Sequence, residues 1–101
     1  ERYRLNNPSY HTWLGDKAAE EGDWLAAQGH YDDALDRLPD DSRLLYSAGL
    51  IRYQLGDLDG ASEFISRAME EATLRRDVED YRIQLEAVRR EMLAETMSGE
   101  G

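Results

Sequence analysis

The chain has 101 residues, no cysteine and a formal net charge of −10, with 34% of its residues charged. That length allows one domain burying about two-thirds of its unfolded surface; the missing thiols exclude disulfides, thiolate catalysis and cysteine-ligated zinc, and the acidic balance argues against nucleic acid and anionic membranes as partners. No apolar run is long enough to span a bilayer and no secretory leader is visible; the opening at Glu1 instead of Met is read as that of a trimmed piece, and the compartment stays unassigned, with the cytoplasm as the default.

After a short lead over residues 1–7, Asn7-Pro8-Ser9 predicts a helix start, since proline is tolerated in a first turn. This helix runs to about Glu21. There Gly22 reads as a left-handed stop, and Asp23 offers a carboxylate to the free amides of the next helix. A second helix covers about Trp24 to Leu38 and ends at Pro39. Asp40-Asp41-Ser42 caps a third, to about Leu55; Gly56-Asp57 repeats the stop and the cap, and a fourth begins near Leu58. From Ala61 to Met97 there is neither glycine nor proline, so the start of a last helix over 76–97 is weakly marked. Ser98 to Gly101 are expected to form a disordered tail.

Sliding the chain against itself by 34 residues puts Gly15 on Gly49, Gly22 on Gly56, Asp23 on Asp57, Ala27 on Ala61 and Ala34 on Ala68. Apolar class is kept where Leu14 meets Ala48, Trp24 meets Leu58, Tyr31 meets Ile65 and Leu35 meets Met69. Gly15 and Gly49 fall inside helices, where glycine costs about 1 kcal/mol relative to alanine, so each predicts a neighbouring helix too close for a side chain. Tyr31 and Ile65 are the large residues that fill the gap between repeats. Leu14-Gly15, Gly22-Asp23-Trp24, Ala27, Tyr31, Ala34-Leu35 and Pro39 resemble the tetratricopeptide repeat, and the set from Ala48-Gly49 to Ala68-Met69 resembles it less completely. The resemblance covers residues 8 to 75. It implies an all-α, right-handed solenoid of two helix-turn-helix repeats, 8–41 and 42–75, closed by a C-terminal capping helix. Two positions depart from the family: Ala18 and Arg52 replace an aromatic, and Thr73 replaces the closing proline. A second register, with Gly29-His30-Tyr31 as the inter-helix turn, leaves too few residues for a helix before Pro39.

On the last helix Leu74, Val78, Tyr81, Leu85, Val88 and Met92 are spaced four, three, four, three, four. Such a seam either caps the second repeat or joins two copies of the chain. Should the chain not break between Thr73 and Asp77, one helix from about Leu58 to Glu95 would need a second chain to cover it, giving a swapped homodimer.

Candidate chemistry is sparse. His11 and His30, the only histidines, read as surface or packing residues, with no acidic residue paired with either as a metal site. Asp57-Leu58-Asp59-Gly60 resembles part of a calcium loop but lacks its other ligands. Asp32, Asp33, Asp36, Asp40 and Asp41 read as a solvated acidic face, with docking of a basic partner as the sharper alternative. No catalytic set, cofactor motif or metal-ligand set stands out, so an enzyme is not expected. What the family resemblance implies is a concave surface lined by the first helix of each repeat: Ser9, Thr12, Trp13, Asp16 and Glu20, then Arg43, Tyr46, Ser47, Leu50 and Tyr53, with Arg76, Glu79 and Ile83 available from the last helix. Partner binding is thereby assigned to Trp13, Asp16, Glu20, Arg43, Tyr46, Leu50 and Tyr53, and self-association, as the alternative, to the Leu74–Met92 seam. Where some members of the family grip a peptide carboxylate with Lys, Asn and Arg, this chain has Thr12, Asp16 and Ser47. The implied partner is therefore a protein or peptide of apolar and basic character.

Overall fold

Short polar side chains set where the helices begin. The computed structural model describes residues 7–100, with side chains through Ser98. Its five helices are α1 (Pro8–Glu20), α2 (Trp24–Arg37), α3 (Ser42–Gln54), α4 (Leu58–Glu71) and α5 (Arg75–Glu100). Asn7 caps α1 by accepting from the Ser9 amide at 2.9 Å. Asp23, Asp41 and Asp57 cap the next three, accepting from the amides of Ala26, Leu44 and Gly60 at 3.2, 3.0 and 2.9 Å. Each satisfies a donor that the helix itself leaves free. Asp57 is thus spent as a helix cap at the turn where the calcium-loop resemblance lay.

The two repeat turns close identically. Gly22 has φ +74° and Gly56 φ +84°, a region closed to most side chains. The Gly22 amide donates to Ala19 O and the Asp23 amide to Ala18 O; Gly56 to Tyr53 O and Asp57 to Arg52 O follow the same pattern. Gly29 lies within α2, so the 34-residue register is the one the chain adopts.

α4 and α5 are separate helices. Ala72 leaves the helical region (φ −69°, ψ 134°) without a proline, so no continuous helix runs from Leu58 to Glu95. A single rod would leave the apolar faces of both α4 and α5 in water, and folding back buries them against each other. At its other end α5 runs past Met97 to Glu100, which corrects the expected tail for Ser98–Glu100; extending an existing helix fixes one residue per added bond, whereas starting one does not. Gly101 and residues 1–6 of the lead lie outside the described residues.

Each helix packs chiefly on the next, giving a solenoid with two linked cores. Ala18, Ala27, Tyr31, Ala34, Leu44, Ala48 and Ile51 form the first. Leu45, Ala61, Ile65, Ala68, Tyr81, Leu85 and Val88 form the second. α3 feeds both, with Leu44 and Leu45 facing opposite neighbours. Gly15 and Gly49 mark tight approaches: a methyl on Gly15 would lie 2.6 Å from the Tyr31 ring, and one on Gly49 2.8 Å from Ile65. The two departures from the family pattern are absorbed differently. Ala18 is simply buried. Arg52 lays its guanidinium over the Phe64 ring at 4.2 Å and bonds Asp32 of the preceding repeat at 3.3 Å, so its stem and charge replace an aromatic plane.

No helix among the described residues is long and apolar enough to cross a membrane.

Candidate functional site

Tyr31 anchors the site through Asp16. Its ring passes between helices over Gly15, and its hydroxyl emerges to donate to Asp16 Oδ1 at 2.5 Å. Burial first, then the Asp16 carboxylate, push this hydroxyl well above its ordinary pKa, while Ser47 acts in the opposite sense. One side chain from α2 therefore ties α1 to α3 and fixes a carboxylate at their junction.

At that junction lies an open groove of about 490 Å³, lined by Ser9, Thr12, Trp13 and Asp16 of α1, Leu38 and Asp41 of the inter-repeat loop, and Arg43, Leu44 and Ser47 of α3. Trp13 keeps 54% of its surface exposed. It is held in place by stacking on Tyr10 (centroids 6.2 Å apart, planes at 24°), with Lys17 Nζ 6.0 Å from its ring. An aromatic surface, apolar Leu38 and Leu44, two carboxylates and one guanidinium are the materials of a peptide or protein contact.

The expected binding residues divide. Trp13, Asp16 and Arg43 come together in this groove, and Thr12 and Ser47 join them, while Glu20 is exposed outside it. Tyr46 instead stacks on Tyr81 of α5, with centroids 4.2 Å apart. Tyr53 packs on the second core, and Glu91 of α5 holds its hydroxyl above the ordinary pKa. Leu50, between them, is half-buried. The aromatic stripe of α3 thus gives much of its surface to α5. The seam is placed in the same way: Tyr81, Leu85 and Val88 are buried in the chain's own second core, Met92 packs partly against it, Val78 is half-buried and Leu74 remains exposed.

Leu38, Asp41 and Leu44 were missed because their signals read as punctuation or core. Leu38 precedes a proline, Asp41 is a cap and Leu44 is a core residue, yet the loop that carries the first two closes one end of the groove. The acidic residues of α2 and the following loop do not act as one patch: Asp32 bonds Arg52 and Asp41 caps α3, while Asp36 and Asp40 are exposed. Asp33 stands apart from these, beside His11 and His30.

Comparison with known families matches residues 18–81 to the tetratricopeptide repeat, from the last turn of α1 into the first turns of α5. No curated protein and no solved structure gives a match.

Proposed function

From the premise that the chain belongs to the tetratricopeptide repeat family, whose repeats are generally protein–protein interaction modules, we propose that it is a scaffold or adaptor that holds a peptide or protein segment in the groove between α1 and α3. The observation that carries this reading is Trp13, a large aromatic left more than half exposed and held by Tyr10 at the mouth of a groove with fixed carboxylates. Buried aromatic anchors supply most of the energy in such contacts. Asp16 and Asp41 give the groove attraction for a cationic side chain, and Trp13, Leu38 and Leu44 receive apolar ones. Thr12, Asp16 and Ser47 offer no cation to a terminal carboxylate. The ligand is therefore a segment that alternates apolar and basic residues, drawn in by a chain of net charge −10.

A peptide array graded in charge and apolarity, followed by titration of the best binders, tests the assignment. Basic-apolar peptides bind, acidic-ended ones do not, and Trp13→Ala weakens binding at least about 30-fold, the loss of an anchor, with the far-UV spectrum unchanged. Binding undiminished in a folded Trp13→Ala chain would overturn it.

A further inference from the structure

His11 on α1 and His30 and Asp33 on α2 converge away from the peptide groove. Each offers one donor atom, and the three atoms all lie within 4.8 Å of one another. His11 Nδ1 and Asp33 Oδ2 are 4.0 Å apart, beyond hydrogen-bonding distance. Donors sharing one zinc ion at about 2.0–2.2 Å stand roughly 3.4 Å apart in a tetrahedron, so small side-chain rotations close the set around a cation. We infer that His11, His30 and Asp33 form a binding site for a single borderline divalent cation of the zinc class, open on the solvent side.

Two further observations support it. The backbone that carries the ligands is fixed: His11 lies one turn before Gly15 and His30 immediately before Tyr31, a pair packed so tightly that a methyl on Gly15 would meet the Tyr31 ring. Ligands on rigid, tightly packed elements keep their geometry without the metal, which is what a binding site needs. The fold itself does not require the trio. Thirty-four residues on, the same positions hold Leu45, Phe64 and Arg67; Leu45 is core, and Phe64 takes Arg67 over its ring at 5.4 Å. The first repeat has two imidazoles and a carboxylate where the second has ordinary packing residues.

The chemistry selects the ion. Two nitrogens and one oxygen favour zinc, cobalt or nickel over magnesium or calcium, which prefer all-oxygen shells. The His11 side chain is 13% exposed and Asp33 58%, so the site is shielded at His11 and open at Asp33, where water or an outside ligand completes the coordination. Within the chain, the pairing of His30 with Asp33 is one helical turn, a spacing that the sequence reading passed over. His11 joins them only through the antiparallel α1–α2 contact.

Calorimetric titration of the full chain, free of any histidine tag, with zinc chloride tests the assignment, with cobalt(II) absorption as the second readout. One equivalent binds at about micromolar Kd or tighter, the melting temperature rises with zinc, and cobalt gives a visible d–d band from a site containing nitrogen. His30→Ala and Asp33→Asn each weaken binding at least about 10-fold, while Asp36→Asn leaves it unchanged. Asp33 is exposed enough that its variant keeps the fold, so a misfolded His30→Ala chain does not remove the test. Weak binding of several equivalents that survives Asp33→Asn and His30→Ala is adsorption to surface carboxylates and overturns the site, as does the absence of one-to-one binding.

Discussion

Three glycines in the first repeat show how one residue type takes opposite roles. A methyl at Gly15 would meet the ring of Tyr31, which is buried and anchored through Asp16 and so has nowhere to swing. Gly15→Ala is expected to destabilise by about 1–3 kcal/mol through overpacking. Gly22 has open space around it but φ +74°, so Gly22→Ala costs about 1 kcal/mol in backbone strain alone. Gly29 is in mid-helix with nothing within 4 Å of its missing side chain and no positive φ; Gly29→Ala is expected to stabilise by about 0.5–1 kcal/mol. Urea unfolding of the three variants gives three midpoints whose order is diagnostic. A Gly15 variant as stable as the parent would show that α1 and α2 do not approach as described. Arg52 belongs to the same scale: Arg52→Ala removes a cation over Phe64 and a bond to Asp32, with an expected loss of about 1–2 kcal/mol.

At the level of whole helices, α5 occupies the place of a third repeat's first helix without its register. Its buried residues Tyr81, Leu85 and Val88 correspond to Leu44, Ala48 and Ile51 at a spacing of 37 residues, not 34. In the 34-residue register Ile83 falls where Gly49 would be, and it is 63% exposed. No following helix among the described residues packs there, so no glycine is required. This offset explains what could and could not be read beforehand. Caps and turns follow from neighbouring residues, visible as Asp23 and Gly22, and the tight helix contact of Gly15 with Tyr31 was marked by the 34-residue repeat of both positions. The division of Tyr46 and Tyr53 between groove and cap depends on how α5 docks, which the 34-residue period does not determine. The meeting of His11 with His30 also needed the helix pair to be built first. Capping by α5 makes a definite expectation: Leu85→Ala costs about 2–5 kcal/mol, and Leu85→Asp strips α5 from the stack, with loss of helical signal in a chain whose mass is unchanged. Retained helicity with a halved molar mass by sedimentation would instead mean that the seam holds two copies together.

Across the whole molecule, stability rests on a short series of neighbour interfaces, and tyrosines stand at several of them. The hydroxyls of Tyr31, Tyr46 and Tyr81 are raised above the ordinary value of 10.0 mainly by burial, and that of Tyr53 mainly by Glu91. Nearby carboxylates add to each: Asp16 at Tyr31, Asp80 at Tyr46, Glu91 at Tyr53 and Asp77 at Tyr81. A raised folded-state pKa means that the neutral form is the one the fold favours. The resulting stabilisation is full below pH 10 and is lost as pH rises through the folded-state values, because the unfolded chain releases those protons first. Four such groups joining α1 to α3 and α3 to α5 couple the two ends of the stack to one condition. The urea midpoint is therefore expected to fall above pH 10, with the tyrosinate absorbance of these four of the six tyrosines appearing together with the loss of helical signal instead of ahead of it. Tyr31→Phe makes that fall shallower, since it removes the hydroxyl held by both burial and Asp16. If these four tyrosines ionised with an ordinary titration curve while the helices stayed intact, their hydroxyls would be in water, and Tyr31 could not be the residue that positions Asp16 in the groove.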